Sequence, residues 1–298
     1  MSNAELFKNL PPIKIESDEL FRSHNVLPPL PQIVSRIQEL MQSENINVSE
    51  IAKLVSVDVA LSAQILKIVN SAYYSLRKEI SDLKIAIAFL GINEIYRIVL
   101  SLSVISSLKS GNENAIRDFW YRSYYTTLSV KLLSAKYTRF IDREELWSAA
   151  LLSDIGSLVY LKFYPDHFKA IRELSQQKGI LYSQAEAELK LPSSSVFGSL
   201  LSTYWKLPNS VKIACENHTY ETLKELRSTD SNSDFKKIIS LGCLCADFSM
   251  MELNADLKDN ITHSIITTLD IKEQEFLLLM GEIRDQLLDV EMFMKALF

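Results

Sequence analysis

The chain has 298 residues, of which 47% are hydrophobic and 23% charged, proportions typical of a globular protein with a substantial core. The formal net charge of −5 argues against a global field that would attract nucleic acid or anionic membrane, so neither is an expected partner. Only 7 glycines occur, and neither GxGxxG nor a P-loop pattern is present, which argues against a dinucleotide-binding or P-loop enzyme.

Helix signals dominate the first third of the chain. Residues 1–26 are predicted to form a loose arm with one short helix near Asp18–Ser23. A helix is expected to start near Pro31, because proline fits the first helical turn. Side-chain caps predict four more helices, and Gly91 should end the third of these. The expected caps are Asn47 with Glu50, Asp58, Ser81 or Asp82, and Asn93.

A polar break at Gly111–Asn114 predicts two lobes, residues 27–111 and residues 112–298. One long helix is expected over Ala115–Lys136, and an amphipathic helix over Ile271–Leu297 should pack on its own chain, with a homodimer contact as the alternative. No segment shows clean strand alternation, so the predicted fold is all-α. Further helix starts are expected at Asp142 with Glu145, Pro165, Ser183 with Glu186, Pro192, Pro208 and Phe235, with a surface loop over Leu223–Asp234.

Local motifs supply little chemistry. The histidines lie far apart without HExxH spacing, and no GxSxG marks a nucleophile. The cysteines lack zinc-knuckle spacing, so we expect core thiols in a reducing cytoplasm; no signal peptide is expected at Met1–Glu5. The residues concerned are His24, His167, His218 and His263, and Cys215, Cys243 and Cys245.

Longer patterns resemble the HDOD family over roughly residues 20–220. The resemblance rests on LPPLP at 27–31, DVALSAQIL at 58–66, VNSAYY at 69–74, FWYRS at 119–123, LLSDIGSL at 151–158 and YWKLP at 204–208. It implies a two-lobed helical fold related to HD phosphohydrolases, which hold divalent metals with His and Asp. It also implies a cytoplasmic bacterial signalling role, exercised by contact with proteins of two-component or cyclic-dinucleotide pathways.

The resemblance also places the metal-ligand positions of an HD site on this sequence. Most of these positions carry residues that are poor ligands for a catalytic metal. Because a guanidinium cannot ligate a metal and can pair with a carboxylate, we expect Arg122 to contact Asp154. The positions are Arg122, Ser153, Asp154, Ser194, Asn217, His218 and Asp247.

Three hypotheses follow for this site. The first is a non-catalytic signalling protein with a vestigial site that holds neither metal nor cofactor. The second is a divergent metal-dependent phosphohydrolase, with the metal on Asp154, His218 and Asp247. The third is a sensor in which Arg122 and His218 bind an anionic ligand.

Simpler structural roles also account for several of these residues. Asp154 can be a buried ion-pair residue at a helix end, and His218 a hydrogen-bonded core histidine. The run Asn70–Ala72 is expected to cap a helix end rather than bind a ligand. The aromatic cluster is expected to be core packing rather than a base-stacking platform; it comprises Phe119, Trp120, Tyr121, Tyr124 and Tyr125.

Overall fold

The computed structural model describes residues 10–13, 27, 29–43, 47–108, 111–138, 141 and 143–298. Throughout this part of the chain the regular structure is α-helical and no β-strand occurs, so the predicted all-α fold is confirmed. The helices are α1 (Gln32–Met41), α2 (Val48–Ser56), α3 (Val59–Val69), α4 (Leu83–Leu90), α5 (Ile92–Ser107), α6 (Glu113–Tyr137), α7 (Arg143–Leu152), α8 (Ile155–Phe163), α9 (Pro165–Lys178), α10 (Tyr182–Glu188), α11 (Ser194–Tyr204), α12 (Asn209–Glu216), α13 (Tyr220–Glu225), α14 (Ser233–Met250), α15 (Ala255–Leu269), α16 (Glu273–Asp285) and α17 (Leu287–Leu297).

The chain divides into two compact units. The smaller comprises residues 28–109 and 288–298, and the larger comprises residues 1–27 and 110–287, each to the extent that its residues are described. Residues 288–298, which the sequence analysis placed in the lobe of residues 112–298, group here with the smaller unit. The predicted helix Ile271–Leu297 is in fact two helices that separate at Gln286. The predicted arm helix near Asp18–Ser23 lies outside the described residues.

Side-chain caps set the helix starts of the smaller unit. Asp58 accepts a hydrogen bond from the Leu61 N–H at 2.9 Å, and Asp82 accepts two at the start of α4. Gly91, with φ of +85°, ends α4 and also precedes the first residue of α5. The predicted cap at Asn93 is wrong, because Gly91 starts the helix two residues earlier and leaves Asn93 within its first turn.

Asn70 fixes the loop between α3 and α4. Its amide nitrogen donates to the Leu66 and Ile80 carbonyls, each at 2.8 Å, and its Oδ1 accepts from the Ile80 N–H at 2.8 Å. The Ser71 hydroxyl donates to the Ile68 carbonyl at 2.6 Å. These bonds satisfy backbone groups at the end of α3, so the expected structural role of this run is confirmed.

The core of the larger unit is built on α6 and α14. Gly242 allows their close approach, because a Cβ added there would lie 2.2 Å from Val130 Cγ2. The buried Tyr125 donates its hydroxyl to the Ile283 carbonyl at 2.9 Å. Phe119, Trp120 and Tyr124 are buried too, so core packing is confirmed for these members of the aromatic cluster, whereas Tyr121 is only half-buried. The prediction of core thiols is also confirmed for all three buried, unbridged cysteines, Cys215, Cys243 and Cys245.

Helices α8 and α11 cross in backbone contact. A Cβ added at Gly156 would lie only 1.8 Å from the Ser194 carbonyl oxygen and 2.9 Å from the Gly198 nitrogen. On its far side Gly198 faces Cys215 of α12, whose thiol donates to the Leu152 carbonyl at 3.3 Å. This stack places the start of α11 and the end of α12 beside the break between α7 and α8.

Two predictions in the second half of the chain are wrong. The capping box at Ser183 and Glu186 does not form, because α10 starts at Tyr182 and Gln184 accepts the Leu181 N–H at 3.2 Å. The predicted loop from Leu223 is partly helical, since the buried Leu223 belongs to α13. The predicted box at Asp142 falls outside the described residues.

The stretch Glu145–Phe163 is long and apolar enough to cross a membrane by length and composition alone. Within the fold, however, 83% of the 18 most apolar consecutive residues of this stretch are buried, as in the core helices of a globular domain. Elsewhere in the described chain, α4 and α5 together reach the same length and apolar character, but a bend of 114° separates the two helices. We therefore interpret both segments as parts of a protein core.

Candidate functional site

A buried cluster of charged side chains surrounds Arg122 in the middle of α6. Its guanidinium binds Asp247 of α14 through two hydrogen bonds, Nε to Oδ1 at 2.7 Å and Nη2 to Oδ2 at 2.9 Å. Its Nη1 donates to Asp154 Oδ2 at 2.5 Å. The contact expected between Arg122 and Asp154 is therefore present, and the close approach of α6 and α14 supplies a second carboxylate.

His218 completes the cluster from the segment after α12. Its Nδ1 lies 2.8 Å from the Cys215 carbonyl oxygen, which can only accept, so Nδ1 carries a proton. Its Nε2 faces Asp154 Oδ1 at 3.4 Å. Burial by itself would lower the pKa of His218, but Asp154 outweighs burial and holds that pKa above 6.5. This arrangement favours the imidazolium form.

The four groups balance one another electrostatically. Burial by itself would raise the pKa of Asp154, but the Arg122 guanidinium, with help from His218, holds that pKa below its ordinary value. Two carboxylates, Asp154 and Asp247, then face two cations. A balanced set of this kind satisfies the rule that buried charges need paired partners.

The three remaining positions from the sequence analysis make no contact with Arg122 among the described hydrogen bonds. Ser153 donates its hydroxyl to the Ala150 carbonyl at 2.9 Å. Asn217 donates its amide to the Ile213 carbonyl at 2.8 Å. Ser194 lies at the first turn of α11, where its N–H donates to Glu186 Oε2 at 2.9 Å. Ser153 and Asn217 therefore serve local backbone structure, whereas Ser194 holds the carboxylate of Glu186.

Glu186 is a site residue that the sequence analysis assigned to a cap. It is 3% exposed, and it lines a cavity with Arg122 and Asp154. Burial raises its pKa to about 8 despite the hydrogen bond from Ser194. The only sequence signal was its place beside Ala185 on the buried face of a short helix.

The cavity beside Arg122 is small and is lined by both aromatic and charged side chains. Its volume is about 50 Å³, room for a few water molecules. Tyr182 lies between two guanidinium groups, with Arg122 Cζ and Arg172 Cζ each 5.6 Å from its ring centre. Phe119 and Phe168 also line the cavity, together with the exposed ion pair of Arg172 and Asp118.

The raised pKa of Glu186 predicts a pH-dependent stability. Between pH 4.5 and about 8 the folded protein holds a proton that the unfolded chain has lost, so the free energy of unfolding falls as pH rises through this window. Glu186→Gln keeps an acceptor for the Ser194 N–H and removes the titration. We expect this variant to be more stable than wild type by roughly 3 kcal/mol at pH 7 and equally stable below pH 4.5.

Urea unfolding of both proteins from pH 4 to 9 measures this difference. Glu188→Gln is the matched control, because Glu188 lies on the same helix in an exposed ion pair with Lys178. A Glu186→Gln curve that runs parallel to the wild-type curve would contradict the prediction.

A divalent metal does not fit this cluster. The Arg122 guanidinium occupies three of the four carboxylate oxygens of Asp154 and Asp247, and the fourth faces His218. A metal would have to displace a fixed cation and then lie close to it. Among the described residues, no group of three or more His, Cys, Asp or Glu side chains is arranged to hold a metal.

Comparison with protein families gives a match to the HDOD domain over residues 27–220. An uncharacterized protein of Treponema pallidum (strain Nichols) is 24% identical over 188 residues. That match covers 62% of this chain, but the chain spans only 36% of the relative's length.

Solved structures with the same fold cover nearly the whole chain. An HDOD domain protein from Geobacter sulfurreducens superimposes with a TM-score of 0.68 at 19% identity, covering 95% of this chain and 97% of that one. A protein from Shewanella amazonensis SB2B, provisionally described as a phosphohydrolase, superimposes with a TM-score of 0.67 at 20% identity. This match covers 95% of this chain and 99% of that one. A protein from Marinobacter aquaeolei VT8, provisionally described as a signal transduction protein, superimposes with a TM-score of 0.69 at 20% identity. This match covers 99% of this chain and 64% of that one. These likenesses show the fold.

Proposed function

Because the chain belongs to the HDOD family, we propose that it is a non-catalytic signal-transduction protein in which Arg122 stands in place of a metal. The observation that carries this proposal is the paired guanidinium: two hydrogen bonds to Asp247 and one to Asp154. The protein then acts by contact with signalling partners, a role in keeping with the description of the Marinobacter structure.

The two alternative functions find less support in the geometry. A phosphohydrolase needs Asp154, His218 and Asp247 to face a metal, whereas here the carboxylates face a guanidinium. A sensor for an anionic ligand needs uncompensated cations and space. Arg122 and His218 already face carboxylates, and about 50 Å³ is far below the roughly 300 Å³ of small ligand pockets.

Metal binding and hydrolysis test the proposal directly. The purified protein is incubated with Mn²⁺, Fe²⁺ or Zn²⁺, desalted, analysed for metal content and assayed with bis(p-nitrophenyl) phosphate. We expect no stoichiometric metal and no turnover above the buffer rate. Stoichiometric metal together with turnover that Asp154→Asn abolishes would overturn the proposal.

Restoring ligands gives the complementary test. The double variant Arg122→His, Ser153→His removes the cation and supplies two imidazoles next to Asp154, His218 and Asp247. We expect this variant to bind a transition metal that the wild type does not bind. Arg172→His, which also faces Tyr182 but lies outside the cluster, is the control and should bind none.

A further inference from the structure

A surface groove in the smaller unit has no part in the Arg122 site. We name it the α2–α3 groove, after the two helices that form most of it. Its volume is about 560 Å³, and residues 81–84 complete its lining. Helix α2 contributes Ser49, Ala52, Lys53 and Ser56 to the lining, and α3 contributes Val59, Ser62 and Leu66.

The groove exposes apolar surface at one end of α3. Val59 is 78% exposed, whereas Ile65, Ile68 and Val69 on the same helix are fully buried. Leu66 lies partly exposed in the groove. Side chains of this type gain free energy when a partner covers them, because their apolar surface then leaves water.

Small side chains line the α2 wall of the groove. Ser49, Ala52 and Ser56 lie at successive turns of α2, and small residues let a second helix pack close to the first. Helix α2 has 9 residues, so the groove runs for about 13 Å, or between two and three helical turns. An amphipathic helix fits such a groove with its apolar face inward.

The charge of the groove selects the partner. Lys53 and Lys84 line it, and neither forms an ion pair among the described residues. Asp82, the carboxylate nearest in the lining, accepts the Lys84 and Ile85 N–H groups at the start of α4. Its charge is partly offset there by the helix dipole. A positive groove on a chain of net charge −5 complements an acidic ligand.

We propose that the α2–α3 groove binds an acidic amphipathic helix of a partner protein, with apolar side chains on Val59 and Leu66 and carboxylates on Lys53 and Lys84. This inference names the partner chemistry of the proposed signalling function and rests on it. The two can fail separately, because the metal test reports on Arg122 in the larger unit and the binding test reports on α2 and α3 in the smaller one.

The experiment uses the full chain and a fluorescein-labelled helical peptide of about 14 residues, with leucines on one face and glutamates on the other. A second peptide carries lysine in place of each glutamate. Fluorescence anisotropy should show saturable binding of the acidic peptide and much weaker binding of the basic one. Val59→Ser and the double variant Lys53→Glu, Lys84→Glu should each weaken the acidic peptide about tenfold.

Matched controls come from the same surface and from the other unit. Val57 is 82% exposed but does not line the groove, so Val57→Ser should leave binding unchanged. The exposed pair Lys258→Glu, Lys272→Glu changes the net charge equally without touching the groove. Absence of saturable binding, equal binding of both peptides, or equal losses in the Val57 and Val59 variants would each overturn the proposal.

Discussion

Replacing Arg122 with methionine is expected to destabilise the protein by about 3–5 kcal/mol, because it leaves two buried carboxylates without their cation. The side chains of Asp154 and Asp247 are only 11% and 10% exposed, so water compensates little of the loss. Urea unfolding at pH 7 measures the change. The triple variant Arg122→Met, Asp154→Asn, Asp247→Asn removes both carboxylates and lets His218, no longer facing an anion, lose its proton, so it should recover most of the lost stability.

A surface ion pair provides the control for this prediction. Lys178 binds Glu188 with both side chains about half exposed, so Lys178→Met should cost no more than about 1 kcal/mol. Equal effects of the Arg122 and Lys178 substitutions would contradict the view that the Arg122 cluster is a buried, mutually dependent set. So would a triple variant no more stable than Arg122→Met alone.

Replacing Gly156 with alanine should lower the free energy of unfolding by a similar amount. The new Cβ would lie 1.8 Å from the Ser194 carbonyl oxygen and 2.7 Å from its carbon, so α8 and α11 must move apart. Neither contact is with a flexible side chain that could rotate away. We expect a loss of about 3 kcal/mol or more in the free energy of unfolding. Because α11 carries Ser194, the shift should also disturb the hydrogen bond to Glu186.

Gly281→Ala is the matched substitution for this test. Gly281 lies within α16, and a Cβ there would meet nothing within 4 Å. Alanine should therefore stabilise α16 by about 0.5–1 kcal/mol. Thermal and urea unfolding of the two variants should change in opposite directions. A loss of less than about 1 kcal/mol in Gly156→Ala would show that the crossing of α8 and α11 adapts more easily than its geometry indicates.

Sequence patterns predicted the helices best where a start is encoded by a few neighbouring residues. Asp58 was predicted as a cap and Asp82 as one of two candidates with Ser81, because these residue types precede apolar helical runs, and both aspartates do accept N–H groups two or three residues later. The break at Gln286 was missed because neither glycine nor proline marks it, and the apolar positions on both sides have helical spacing. Helix α15 was not predicted, although its buried Leu257, Ile261 and Ile265 recur every four residues.

The site was less predictable, because its members are distant in sequence. Resemblance located Arg122, Asp154, His218 and Asp247, and chemistry predicted the Arg122–Asp154 contact. The stronger, two-bond contact with Asp247 depends on the packing of α6 against α14, which no local pattern encodes. Glu186 was mistaken for a cap because it lies three residues after Ser183, the spacing of a capping box, and this spacing does not reveal whether the acid is buried.

In the Arg122 cluster, the counterion of the two buried carboxylates is a side chain of the protein itself. A counterion that is covalently part of the chain cannot dissociate, so its occupancy does not depend on the chemical potential of any free ion. Stability gained from a bound metal would vary with metal supply and would be lost to a chelator. With the guanidinium on Asp154 and Asp247, the larger unit carries its own counterion, and the proposed function therefore predicts that its stability does not depend on metal supply.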